Sequence, residues 1–140
     1  MSTLTIGDMM VRDVKTLHED DSLTLASWDM AVSEFRHLPV VDYARRVVGI
    51  ISDRDVLRAV ALRPGESLSV KQVMTRNVRL IAATATAMEA AGHMLESKHS
   101  AMPVVDASGV LVGIVTTTDF VELARRALAG IDVNAPHARA

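Results

Sequence analysis

Apolar positions along the chain follow two rhythms: helical spacings of three or four residues, and short β-branched runs. Ala26, Met30 and Ala31 share one face of a helix predicted at about 23–35, and Ala90, Met94 and Leu95 repeat the spacing at about 87–98. A short extended piece and a polar link precede each helix, "VKTL" at 14–17 and "VRLI" at 78–81. After each helix comes a run ending in aspartate, "HLPVVD" at 37–42 or "AMPVVD" at 101–106. The links "YARR" and "ASGV" read as hairpin turns, leading to strands at 47–51 and 111–115. Closing helices are expected at about 53–62 and 117–129. The order is β-α-β-β-α, twice, an α/β (α+β) fold.

The duplication is gapless. Pro39 and Pro103, Gly49 and Gly113, and Asp55 and Asp119 are each 64 residues apart, as are Met10 and Met74, Arg12 and Arg76, and Val14 and Val78. The match reaches back to "TIGDMM" (5–10) against "SVKQVM" (69–74). One offset that aligns Pro, Gly and Asp together marks a tandem repeat. Residues 5–62 form the first repeat, 63–68 a linker and 69–128 the second. Residues 129–140 read as a flexible tail.

Helix "DVLRAVAL" (55–62) is apolar nearly all round, Arg58 being its only charge after Asp55. Such a helix needs cover on more than one side; a homodimer is the economical source of it, and cover from within the chain is the alternative.

Composition narrows the function. The 140 residues suffice for an ordinary domain with a real core. Aromatics at 3% leave no base-stacking platform, and a net charge of -2 gives no electrostatic footprint for nucleic acid. The absence of cysteine removes disulfides and thiolate metal sites. No basic-then-apolar leader and no apolar run of membrane length is evident, so a cytoplasmic location without membrane contact is expected. The five histidines show no metal-ligand spacing, and neither a nucleophile–base–acid set nor a P-loop is present. No catalytic residue and no metal ligand is assigned; an enzyme is not expected.

The repeated "GIISDRD" (49–55) and "GIVTTTD" (113–119) carry the chemistry. Ser52-x-x-Asp55 and Thr116-x-x-Asp119 are capping boxes at helix starts, hydroxyl and carboxylate each satisfying a backbone N–H. The same carboxylate at a strand-to-helix junction can accept both hydroxyls of a ribose, with the helix N-terminus attracting phosphate. Capping accounts for neither glycine, because glycine in a strand marks a bulge or a close approach by ligand or backbone.

The paired "[LM]PVVD…GhhSxxD-type" elements, "HLPVVD…VVGIISDRDVL" and "AMPVVD…LVGIVTTTDFV", resemble the two halves of a CBS domain pair, or Bateman module, over residues 5–128. The resemblance implies a pseudo-twofold module with two clefts between its repeats, often a homodimer. It implies non-covalent regulatory ligands, AMP, ADP, ATP or S-adenosylmethionine, and no required cofactor. Occupancy would be relayed to an effector protein; a ligand-free dimerisation module is the alternative.

Carried across residue by residue, the resemblance implies one cleft from Val14, Lys15, Arg36, His37, Leu38, Thr116 and Asp119. It implies a second from Ser52, Arg54, Asp55, Val78, Arg79, Ser100, Ala101 and Met102. The aspartates would hold ribose, and Val14, Leu38, Val78 and Met102 would line the base. With Lys15, Arg36 and His37 on its lip, the Asp119 cleft is expected to prefer the more phosphorylated ligand. Arg36 and Arg79 are equally readable as solvated surface arginines.

Overall fold

The computed structural model describes residues 3–33 and 35–134, so the last six residues of the expected tail lie outside the described residues. The chain divides into two compact units, one of Val14–Val78 and one of Met1–Asp13 with Arg79–Ala140. The sequence repeat and the compact unit are therefore offset. In the first unit the Leu23 N–H donates to the Leu68 carbonyl at 2.9 Å, and in the second Ala87 donates to Leu4 at 2.9 Å. The same bond is made at both ends of the 64-residue offset, and each time the head segment comes from the other repeat.

Those heads are one-turn helices, α1 (Ile6–Met9) and α4 (Val70–Val73). Both start on a capping box, Thr5 with Asp8 and Ser69 with Gln72. The Thr5 backbone N–H, 3.0 Å from Asp8 Oδ2, holds that carboxyl below its ordinary range. Ile6 and Val70 are fully buried, an apolar anchor of about 1.5–3 kcal/mol each.

The longer elements fall close to expectation. Helices α2 (Leu23–Ser33) and α5 (Ala87–Ser97) precede hairpins β1–β2 (His37–Val41, Val47–Ser52) and β4–β5 (Ala101–Val105, Leu111–Thr116); α3 (Asp53–Leu62) and α6 (Thr117–Leu128) close the repeats. The first expected strands are much reduced. "VKTL" contributes only a parallel bridge of Leu17 to Val40, whereas the second repeat has a two-residue strand, β3 (Ile81–Ala82), parallel to β4. Polar Lys15 and Thr16 leave the first stretch too few apolar positions for a ladder.

Both hairpins are antiparallel and share one register, with Val40 opposite Gly49 and Val104 opposite Gly113. Asp42 and Asp106 organise the turns by accepting two backbone N–H groups each at 2.8–3.0 Å. Left-handed backbone closes both turns, at Gly109 (φ 82) and at Arg45 (φ 62).

The strand glycines owe their identity to space. A Cβ on Gly113 would lie 2.6 Å from Met10 Sδ and 2.8 Å from the Val11 carbonyl oxygen. On Gly49 it would meet Met74 Sδ at 2.6 Å and the Thr75 oxygen at 2.9 Å. Neither glycine has a positive φ. The close approach is therefore by backbone and thioether, the head segment pairing with the strand through Val11–Ile114 or Thr75–Ile50 bonds. Each unit has its own core, around Leu17, Leu38, Ile51 and Val70 in one and Ile6, Met102, Val104 and Val115 in the other.

Helix α3 buries Val56 and Ala59 in its unit but leaves Leu57, Val60 and Leu62 exposed. Trp28 and Val32 of α2 are exposed as well.

Candidate functional site

The two strand-to-helix junctions correspond residue for residue in register and in backbone bonding. His37 pairs with Ser52 across β1–β2, and Ala101 pairs with Thr116 across β4–β5. The first helical N–H, of Asp53 or Thr117, donates to the carbonyl of Arg36 or Ser100 at 3.0 Å. That bond closes the hairpin over the helix start and presents residue 36 or 100 beside the cap. The lip and the capped helix of each junction thus belong to one unit.

Capping is realised in full. Ser52 N–H donates to Asp55 Oδ2 at 2.9 Å, and Asp55 N–H donates to Ser52 Oγ at 3.2 Å. At the other junction Thr116 N–H and Oγ1 donate to Asp119 Oδ2 at 2.8 and 3.3 Å. Asp119 is buried and Asp55 half-buried. The Thr116 bonds to Asp119 and the Ser52 N–H bond to Asp55 all fall on Oδ2, and the caps hold both carboxylates at their helix starts.

The expected cleft residues divide between the units. Val14, Lys15, Arg36, His37 and Leu38 share a unit with Ser52, Arg54, Asp55 and Val78; Arg79, Ser100, Ala101 and Met102 share the other with Thr116 and Asp119. Within the first unit, Arg36 and His37 abut Ser52–Asp55; within the second, Ser100 and Ala101 abut Thr116–Asp119. Leu38 and Met102 have no exposed surface, their side chains filling the cores. What they can offer a ligand is backbone. Lys15 lies 3.9 Å from the nearly buried Asp29, and Arg79 lies 2.7 Å from His93 Nδ1, so both have partners in their own units. Val14 and Val78 are half-buried, and Arg54 is exposed.

Charge distinguishes the junctions. The first carries Arg36, His37, Asp53, Arg54 and Asp55, where the second carries Ser100, Ala101, Thr117, Thr118 and Asp119. Burial is the main force pulling the His37 pKa below its ordinary 6.5, with Asp53 and then Asp55 opposing and Arg36 assisting. Arg36 and Asp53 also line an open groove of about 630 Å³ with Ser27, Met30, Ala31, Phe35, Val56 and Leu57. Asp53 was not singled out from sequence; its signal was the charged triplet Asp53-Arg54-Asp55 where the other repeat has Thr117-Thr118-Asp119. No cluster of three or more potential metal ligands exists among the described residues, and no helix there is long and apolar enough to cross a membrane.

The comparisons with known proteins agree with this two-part architecture. A 35% identical Vibrio cholerae protein, described as an acetoin utilization protein, superposes with a TM-score of 0.85 over 92% of this chain and 97% of its own. A CBS domain pair of protein MJ0100, crystallised with 5′-methylthioadenosine and S-adenosyl-L-methionine, is 29% identical with a TM-score of 0.81 over 88% and 97% of the two chains. The protein CBSX2 in complex with AMP is 27% identical with a TM-score of 0.77 over 89% and 98%. Among curated proteins, the homoserine O-acetyltransferase of Methanohalophilus mahii is 35% identical over 114 residues, 81% of this chain but 23% of that enzyme. The chain spans less than a quarter of the length of such curated relatives. The CBS-domain profile itself matches twice, at residues 6–62 and 70–126, and the chain belongs to the CBS-domain family as a tandem pair.

Proposed function

We propose that this CBS pair is a regulatory module binding adenosine-containing small molecules at its strand-to-helix junctions and relaying their level to a separate effector protein. The observation that carries the reading is the coincidence of two things. Structural relatives crystallised with AMP, or with methylthioadenosine and S-adenosylmethionine, share the fold closely. This chain retains, in both repeats, a carboxylate fixed at the helix start by its cap. A ribose diol presents two donors to such a carboxylate, and a preorganised acceptor binds them without an ordering cost. The chain's role is binding rather than catalysis, and ligand shifts its conformational equilibrium only by the difference in affinity for the two states.

We further propose that a second copy covers the exposed apolar face of α2 and α3, with Trp28, Val32, Leu57 and Val60 at its centre. A monomer in sedimentation at micromolar concentration would remove that part.

A second reading has its own support. Both capping boxes are complete without ligand, as expected of a ligand-free interaction module whose aspartates serve only as caps. Thermal unfolding with AMP, ADP, ATP, S-adenosylmethionine and NADH, with and without magnesium, separates the two. A ligand at 100 times its Kd adds about 2.7 kcal/mol, a rise of several degrees. No rise with any of them favours the interaction module.

A further inference from the structure

We infer that the turn between β1 and β2, residues 43–46, is the surface that recognises the effector protein, and that it takes an acidic, carboxylate-rich segment of that protein. The inference names the partner in the regulatory reading above and rests on that reading.

The second repeat shows what such a turn needs in order to fold. Both turns share one frame: Asp42 or Asp106 accepts two backbone N–H groups, and a left-handed residue, Arg45 or Gly109, completes the reversal. In the second repeat that frame carries Ala107, Ser108, Gly109 and Val110, with no charge and no aromatic ring. In the first it carries Tyr43, Ala44, Arg45 and Arg46, all exposed. The turn itself therefore does not require the side chains that set the first apart. Arg45 even holds a backbone conformation that glycine adopts without steric cost. A residue kept there against that cost points to a use for its side chain.

Together these side chains make a recognition surface. Tyr43 is 90% exposed, yet its ring stacks on His18 at a centroid distance of 4.7 Å and an interplanar angle of 19°. His18 is tied down in turn, its Nδ1 lying 2.9 Å from the Val41 carbonyl oxygen. The tyrosine is thus held outward before any partner arrives, which lowers the ordering cost of binding. The matching positions of the second repeat, Ala82 and Ala107, can make no such stack. Neither Arg45 nor Arg46 has an ion-pair partner among the described residues. The acids that follow His18 do not claim them, because Glu19 pairs with Arg76 at 3.2 Å and Asp20 with Lys71 at 3.3 Å.

Tyrosine and arginine are the residues that most often anchor protein interfaces, and the guanidinium fork matches a carboxylate. Two arginines fall short of the about four to eight cations that hold a segment on an anionic membrane. A nucleic-acid backbone would approach a chain of net charge -2. A short acidic peptide segment meets neither obstacle.

Fluorescence anisotropy of a labelled oligoglutamate peptide, titrated with the full chain, tests the surface. Tyr43→Ala/Arg45→Gly/Arg46→Val copies the turn of the second repeat, so the frame is kept while the surface is removed. The unmodified protein should bind saturably, and less tightly as salt rises. The turn variant should bind about fivefold more weakly or worse. Arg58→Gln/Lys98→Asn, which removes the same charge from other exposed positions, should change affinity by less than about twofold. Equal losses in the two variants, no binding by the unmodified protein, or tighter binding of a labelled oligothymidylate of equal charge would each overturn the assignment. AMP titration of the same proteins keeps the two readings apart. A turn variant that loses the peptide but retains AMP supports the inference. An unmodified protein that binds the peptide at this turn but binds no AMP overturns the regulatory reading and leaves the acidic-segment surface standing.

Discussion

Adding one methyl group at Gly113 should be among the most damaging single-carbon changes this protein can suffer. The alanine Cβ would stand 2.8 Å from the Val11 carbonyl oxygen, against 3.4 Å for the onset of ordinary contact. Met10 Sδ, at 2.6 Å, sits on a flexible side chain and can swing aside. The carbonyl cannot, because Val11 and Ile114 exchange two backbone bonds of 3.0 Å. Overpacking of this kind costs about 1–3 kcal/mol, and straining one of the paired bonds accounts for about 0.5–1.5 kcal/mol of it. Alanine returns about 0.4–1 kcal/mol by restricting the unfolded chain. The net expectation is a loss of ~1–2 kcal/mol, read as a lower urea midpoint at unchanged m-value. Gly92 supplies the control: it lies inside α5 with nothing within 4 Å of its added Cβ, so Gly92→Ala should gain about 0.5–1 kcal/mol. If Gly113→Ala is neutral or stabilising like Gly92→Ala, the close-approach explanation of the strand glycines is wrong.

Two further outcomes follow from local geometry. Arg45 adopts the left-handed backbone that glycine supplies at position 109, so Arg45→Gly should raise stability by up to ~1 kcal/mol and Gly109→Ala should lower it, both measurable by chemical unfolding. Burial lowers the folded-state pKa of His37 from 6.5, so the unfolded chain binds more protons just below that pH. The stability this histidine contributes is complete above about 6.5 and declines as pH falls from there through the lowered folded value; a His37→Gln protein should show a flatter thermal midpoint between pH 7.5 and 5.5.

The repeat, both long helices of each unit, the hairpins and the caps were legible because each is written in local grammar. A 64-residue offset, helical spacing, turn residues and S/T-x-x-D need no tertiary information. The one-turn helices were legible in principle too, since Thr5-x-x-Asp8 and Ser69-x-x-Gln72 obey the same rule. What sequence could not supply was partnership. Nothing local says that Met10 covers Gly113 while Met74 covers Gly49, because the exchange of head segments is a property of chain topology. Leu38 and Met102 have no exposed surface, in strands buried along nearly their whole length, a burial that two flanking layers set and no local pattern announces. The fold brings Lys15 within 3.9 Å of Asp29, a pairing absent from any local pattern. The Asp53 N–H bond to the Arg36 carbonyl sets Arg36 beside the Ser52 cap, a placement that local pattern does not announce either.

On the function proposed above, the capped aspartates bind adenosine as well as close their helices. The most direct test is calorimetric titration of AMP into the unmodified protein and into Asp55→Asn/Asp119→Asn. Asparagine still offers one oxygen to the Ser52 and Thr116 N–H groups, so the fold should survive with a modest loss of thermal midpoint. Saturable binding by the unmodified protein, and its loss in the double variant, are expected. Equal AMP affinity in the two proteins would show that the carboxylates are caps alone.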